Sequence, residues 1–189
     1  IYALGKIGTM KNIIILMFCL TFLNCSSKVE FVPIEKITDS DKNYSIRDFK
    51  QIGFKQSHEY PVDNLPGAVS AYYGFIKNLQ SDPEDYEIRF YSTHIDATQK
   101  GSEYADNITG KEGCIKKECA LWTEDLKHRQ HLSEPYTWSG GAGNGIPIPK
   151  YLNYIVHGNF ILMCPGYNEI DALNKCTIVI EKLNPKTIE

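Results

Sequence analysis

Hydrophobic positions change their period from segment to segment along this chain, and each period predicts an element. Residues 13–23 form an apolar run interrupted only by Thr21. Ile46, Phe49 and Ile52 follow Ser45, with Asp48 three residues after that serine, which is the pattern of a short helix opened by a capping box. Val69, Tyr72, Tyr73, Ile76 and Leu79 recur at helical spacing and predict a helix from about residue 64 to residue 80, ended by Ser81-Asp82-Pro83. Tyr86, Ile88 and Phe90 alternate with Glu87, Arg89 and Tyr91, the period of two of a half-buried strand.

Residues 154–163 and 177–183 are β-rich runs and predict two antiparallel strands near the end of the chain. Ala120, Leu121, Trp122, Leu126 and Leu132 mark a weak helical face over residues 119–132. Residues 139–145 read as a flexible loop entering the extended run Ile146-Pro147-Ile148-Pro149. Helices combined with a terminal hairpin place the chain in the α+β class. The expectation is one small domain over residues 44–189, with an antiparallel sheet, one or more packed helices and a C-terminal hairpin clamped by a disulfide.

Chemistry at the first apolar run changes the picture. Lys11 precedes it and Asn24-Cys25-Ser26-Ser27 follows it, the three parts of a secretory signal. A membrane-spanning helix needs about 20 apolar residues, and residues 13–23 fall well short. Phe22-Leu23-Asn24-Cys25 resembles the lipobox of bacterial lipoproteins, in the looser form of spirochaetes followed by Ser-Ser. The resemblance covers only the first 27 residues, and it departs from the usual pattern at Phe22, where Leu is common, and at Asn24, where Gly or Ala is common.

That resemblance implies a signal peptide over residues 1–24, with residues 1–9 an over-extended start before Met10, and a cysteine, Cys25, that carries palmitate-type acyl chains. Residues 25–43 would then be a tether, residues 29–32 being alternatively a first strand. Each buried CH₂ contributes about 0.8 kcal/mol, so two or three chains hold a protein to a bilayer where one does not. The implied location is the bacterial cell envelope, with the membrane as a partner through Cys25. An ordinary signal peptide cut nearby is the alternative.

Charge narrows the partners. Two of the 20 basic residues, Lys6 and Lys11, precede Cys25, so 18 face 23 acidic residues and the mature net charge is −5. Nucleic-acid binding relies on clustered basic residues, which argues against that class. Lys116-Lys117 reads as a solvated face.

Besides Cys25 the mature chain has Cys114, Cys119, Cys164 and Cys176. In an exported protein an even set reads as disulfides, with three connectivities open. If the runs 154–163 and 177–183 pair antiparallel, Cys164 and Cys176 meet at the turn, which favours that bridge and leaves Cys114 with Cys119. The closed loop 165–175 would gain about 3 kcal/mol on the chain-entropy model. It would also present Tyr167 on a surface whose ordering cost is met before a partner arrives.

Several constellations suggest chemistry. The glycine-rich residues 140–145 fit neither the dinucleotide nor the Walker spacing, and the prolines that follow disfavour a helix N-terminus for phosphate. Cys114, Cys119, His128 and His131 supply a four-ligand zinc set at an unusual spacing, in competition with the disulfide reading. His94 and Asp96 offer an imidazole near a carboxylate for a hydrolase, without a flanking nucleophile motif.

Tyr136, Trp138, Tyr151 and Tyr167 are candidates for an exposed binding surface, because tyrosine offers a large contact area at little entropy cost. The reading that results is a lipid-anchored envelope protein that acts by binding, with no cofactor, no metal and no catalytic residue assigned. Its partner would be a host protein, an envelope polymer or an inhibited enzyme. The alternatives are a small envelope hydrolase or zinc protein built on His94/Asp96 or the Cys114–His131 cluster, or a purely structural component.

Overall fold

The computed structural model describes residues 33–133 and 145–185. Its centre is a six-stranded mixed sheet built from β1 (Ile37–Thr38), β2 (Lys55–Tyr60), β3 (Ala68–Lys77), β4 (Pro83–Tyr91), β7 (Tyr151–His157) and β8 (Phe160–Pro165), in the order β1-β7-β8-β4-β3-β2. Every pairing is antiparallel except that of β1 with β7. A two-stranded ribbon, β5 (Gln130–Leu132) with β6 (Pro147–Pro149), stands apart. The helices are α1 (Ile46–Gln51), α2 (Ser102–Ile108) and α3 (Glu169–Leu183). The architecture is α+β.

One face of the sheet is apolar. α3 lays Ala172, Cys176, Val179, Ile180 and Leu183 into a cluster that includes Ile88, Phe90, Ile155 and Leu162. Full burial of each large aliphatic or aromatic side chain contributes about 1.5–3 kcal/mol over leaving it in water. α1 adds Phe49, whose ring meets Phe160 and Phe90 edge-on at 5.0 and 5.7 Å between centroids. The serine and aspartate before that helix meet as expected, Ser45 N–H donating to Asp48 Oδ2 at 2.9 Å.

Part of the other face is covered by one helical segment: a turn His94–Asp96, a wider π-helical turn Ala97–Gly101, then α2. Thr93 caps it, its Oγ1 accepting from Asp96 N at 3.0 Å. Ala97, Gly101, Ala105 and Ile108 are its buried residues. Gly101 permits the close approach: a Cβ there would lie 2.5 Å from the Tyr91 hydroxyl and 2.6 Å from Ile161 Cδ1.

Several elements differ from the sequence reading. The helix expected over residues 64–80 is strand β3, because Val69-Ser70-Ala71-Tyr72-Tyr73 is rich in branched and aromatic residues and apolar side chains are needed on both faces of a central strand. Gly74 is fixed there by strand packing, since a Cβ would meet Lys55 O of β2 at 2.2 Å.

The C-terminal hairpin is displaced upstream. Residues 154–163 are not one strand but two, joined by a tight turn at Gly158, whose φ of +51° suits glycine. Residues 177–183 end helix α3 instead of forming a strand. Asn168 caps that helix, its Oδ1 accepting from Asp171 N at 2.9 Å, so the helix begins at Glu169, well before Thr177. The Cys164–Cys176 disulfide therefore joins a strand to a helix rather than closing a hairpin.

Residues 119–132 hold a 3₁₀ turn, Leu126–Arg129, and then β5, in place of the expected helix. Trp122 is nevertheless buried, beneath this turn. Residues 33–43, read as tether, lie along the sheet: β1 extends it and Ile34 N–H donates to Thr177 Oγ1 at 3.0 Å.

Candidate functional site

Alternation along β4 points Tyr86, Ile88 and Phe90 to the apolar face and Glu87, Arg89 and Tyr91 to the other, where all three are buried. Arg129, at the end of the 3₁₀ turn, reaches the same place. Arg89 Nε donates to Glu87 Oε1 at 2.9 Å and Arg129 Nε donates to Glu87 Oε2 at 2.7 Å. All three side chains are fully buried. The Trp122 ring lies over both guanidinium groups, 4.1 Å from Arg129 and 4.9 Å from Arg89. Burial alone pushes the Glu87 carboxyl up, but Arg129 and Arg89 outweigh it and hold it below the usual carboxylate range.

This interior continues to the surface through aromatic contacts. The Tyr60 ring lies 5.1 Å from Arg129, and the Tyr60 hydroxyl meets His128 Nδ1 at 3.2 Å. His128 stacks on Tyr73 with centroids 4.7 Å apart and planes 5° apart. Burial and the neighbouring His58 keep the His128 imidazole below its ordinary pKa, against the pull of Asp125.

His58 Nε2 stands 2.9 Å from Asp125 Oδ2. Both residues sit on irregular backbone, His58 beside a bulge in β2 and Asp125 at a φ of +42°, a conformation a non-glycine residue holds only where its surroundings enforce it.

Tyr73 links this cluster to an open cleft. Its hydroxyl donates to Asp85 Oδ2 at 2.8 Å, and Lys150 Nζ donates to the same oxygen at 2.6 Å. Asp85, Lys150, Lys175, Glu84 and Tyr167 line a cleft of about 630 Å³. Lys175 Nζ is 3.0 Å from Glu84 Oε1 and 3.6 Å from Asp171 Oδ2. Asn78 and Gln130 add amide groups to the lining.

Tyr167 stands at the mouth, 93% exposed. Its position is fixed from below: Tyr167 N–H donates to Asp171 Oδ2 at 3.0 Å, and Lys175 Nζ lies 5.5 Å from its ring. Gly166 beside it allows the chain to run against α3, since a Cβ there would lie 2.6 Å from Ala172 N. The disulfide Cys164–Cys176 brackets the segment. A second hollow, of about 390 Å³, shares Tyr167, Gly166 and His131 with the cleft and adds Ile148 and Leu152.

The residues singled out from sequence fall as follows. Tyr167 is at the cleft. Tyr151 is fully buried rather than on a binding surface, because alternation in β7 turns it inward, where burial and the Glu87 carboxylate push its phenol well above the usual range. Tyr136, Trp138 and Cys25 lie outside the described residues.

Cys114 and Cys119 are bonded to each other, which withdraws the thiolates a zinc site would need, and His131 lies exposed on β5 while His128 is stacked on Tyr73. Among the described residues no three His, Cys, Asp or Glu side chains are placed to hold a metal ion. His94 and Asp96 turn to different partners: His94 Nδ1 meets Gly158 O at 2.9 Å, while Asp96 pairs with Lys100 at 2.6 Å.

Sequence reasoning missed Glu87, Arg89, Arg129, Lys150, Asp85 and Lys175. Only the first two carried a signal, as charges at alternate positions of an otherwise apolar strand.

A model of the family of unknown function DUF6810 matches residues 45–185. No curated protein and no solved structure matches the chain.

Proposed function

We propose that this chain, which belongs to the family of unknown function DUF6810, is a lipid-anchored protein of the bacterial envelope that works by binding, with the cleft beneath Tyr167 as its binding surface. The observation that carries the reading is Tyr167: a large aromatic side chain left 93% exposed, yet anchored by a backbone hydrogen bond and a flanking disulfide. A loop whose backbone is held in place before its partner arrives spares part of the cost of ordering on binding.

The occupant that fits is an extended envelope polymer bearing sugar rings together with amines and carboxylates, as in a glycopeptide wall. A sugar ring stacks on the face of Tyr167. Ligand amines meet Asp85 and Glu84, and ligand carboxylates meet Lys150 and Lys175, each exchanging for a charge already held in the cleft. The membrane anchor rests on Cys25 and its resemblance to a lipobox, and it would keep the domain within reach of such a polymer.

Co-sedimentation of the purified protein with isolated peptidoglycan tests the reading. Wild-type protein should sediment, and Tyr167→Ala should weaken sedimentation about tenfold, the equivalent of about 1.4 kcal/mol, with an unchanged thermal midpoint. Wild-type protein that stays in solution, or a Tyr167→Ala variant that sediments equally well, overturns it. For the anchor, alkyne-palmitate labelling in the producing bacterium should mark the wild-type chain and spare Cys25→Ala.

A further inference from the structure

The polar face has a charge imbalance that its own residues do not resolve. Glu87, Arg89 and Arg129 are all fully buried, so among the described residues one carboxylate faces two guanidinium groups. Burial weakens the hold of Arg129 on its proton, but the Glu87 carboxylate overcomes that cost and strengthens it on balance.

Both oxygens of Glu87 already accept a guanidinium Nε. Arg89 Nη2 also lies 2.8 Å from Glu87 Oε1 but off the hydrogen-bonding line. Beyond these bonds, Arg89 Nη1 and Nη2, Arg129 Nη2 and Trp122 Nε1 have no hydrogen-bond partner among the described residues. The Tyr91 and Tyr151 hydroxyls, on the same face, have none either. Guanidinium and indole nitrogens can only donate, while the hydroxyls can donate or accept. Tyr91 lies close enough to Arg89 to take up one of its donors, which still leaves donors in excess.

We infer that the interior between Arg89 and Arg129 is a binding site for a small monovalent inorganic anion, of which chloride is the one at hand. The two guanidinium groups grip the same carboxylate and lie on the same indole, which brings both into one neighbourhood. Trp122 covers their faces, which leaves the edges as the direction of further bonding. Water would satisfy the donors but leave the net positive charge unpaired, whereas a single monovalent anion meets both needs. A phosphate or sulfate would carry one charge too many, and the surroundings are closed. The inference is independent of the Tyr167 cleft.

Bromide is the probe, because it replaces chloride and scatters anomalously. Crystals of the mature domain grown in bromide should show an anomalous peak within hydrogen-bonding reach of Arg89 Nη1 or Nη2 or Arg129 Nη2. A water or a protein carboxylate at that place instead overturns the inference.

In solution, raising chloride from 1 to 100 mM at constant ionic strength, balanced with gluconate, should lift the thermal midpoint by roughly 5 °C. A midpoint that does not move also overturns it. Arg129→Met leaves Arg89 and Glu87 balanced and should abolish the chloride response. Should that variant not fold, the wild-type bromide map and chloride titration decide the matter alone.

Discussion

Strand β4 is buried on both sides, and its two faces solve burial in opposite ways. Toward α3 it presents Tyr86, Ile88 and Phe90 to an apolar cluster that any hydrophobic side chain of suitable volume would serve. Toward Trp122 it presents Glu87 and Arg89, which are tolerable there only because Arg129 arrives from a segment forty residues downstream. The apolar face is therefore a matter of area. The polar face is a matter of partners, and it fails if one partner is removed.

The largest effect expected from that difference is at Glu87. Glu87→Ala leaves two guanidinium groups buried against each other and should cost about 3–5 kcal/mol, measured as the loss in unfolding free energy by urea titration. Replacing Glu87, Arg89 and Arg129 together by apolar residues of similar volume should leave stability within a few kcal/mol of wild type or raise it, as is found for buried ion triads elsewhere. If the single variant is as mild as an exposed substitution, the two faces do not differ in the way described.

The same contrast explains what could be read from the chain. The capping box at Ser45 and Asp48 is local chemistry and stood in the sequence. The alternation of β4 was also legible, but it reads as a strand with one wet face, because nothing near Glu87 announces Arg129. In β3, Val69, Tyr72, Tyr73 and Ile76 fall at helical spacing only because both faces of that strand carry aromatics, so period loses to propensity.

Helix α3 was misread for the reverse reason: Thr177-Ile178-Val179-Ile180 has strand propensity, and the cap that commits it to a helix is upstream at Asn168. At the candidate site, Tyr167 was visible as a tyrosine between two cysteines. Lys150, Asp85 and Lys175 were not, since they line one cleft only when β4, the junction of β6 with β7, and α3 are in place.

The two disulfides sharpen the comparison at a smaller scale, because one belongs to each side. Cys164–Cys176 ties β8 to α3 on the apolar face, across a sequence separation of 12. Cys114–Cys119 closes a ring of separation 5 in the loop leading to Trp122. Replacing the first pair by alanine should cost about 3 kcal/mol, and replacing the second about 2 kcal/mol, on the loop-entropy scale. Urea midpoints of the two double variants check the order. A larger loss from the small ring would mean that the Trp122 loop depends on it for the placement of Arg129.

The smallest effect is a dependence on pH that distinguishes the faces through their histidines. His157 is nearly buried, with Nδ1 2.7 Å from Thr38 Oγ1 and Nε2 3.1 Å from the Tyr44 hydroxyl. Burial and the neighbouring His94 hold it below its ordinary value of 6.5, Asp39 pulling the other way. His128, on the polar side, is also lowered but is more open to water.

Because the folded state gives up these protons more readily than the unfolded chain, the unfolded state binds more protons as pH falls through 6.5 and below. Stability is then full above that value and declines on acidification toward the folded pKa. Glu87 is shifted in the same direction, downward, and likewise loses stability on acidification, but only within and below the ordinary carboxylate range. Over about pH 5.5–7.5 the slope of unfolding free energy therefore reports the two histidines. His157→Gln should flatten most of it and His128→Gln less, since desolvation is greater where the ring is more buried. The opposite ranking would place the acid-sensitive joint of the fold on the charged face, beside the site where the ion pairs already depend on one another.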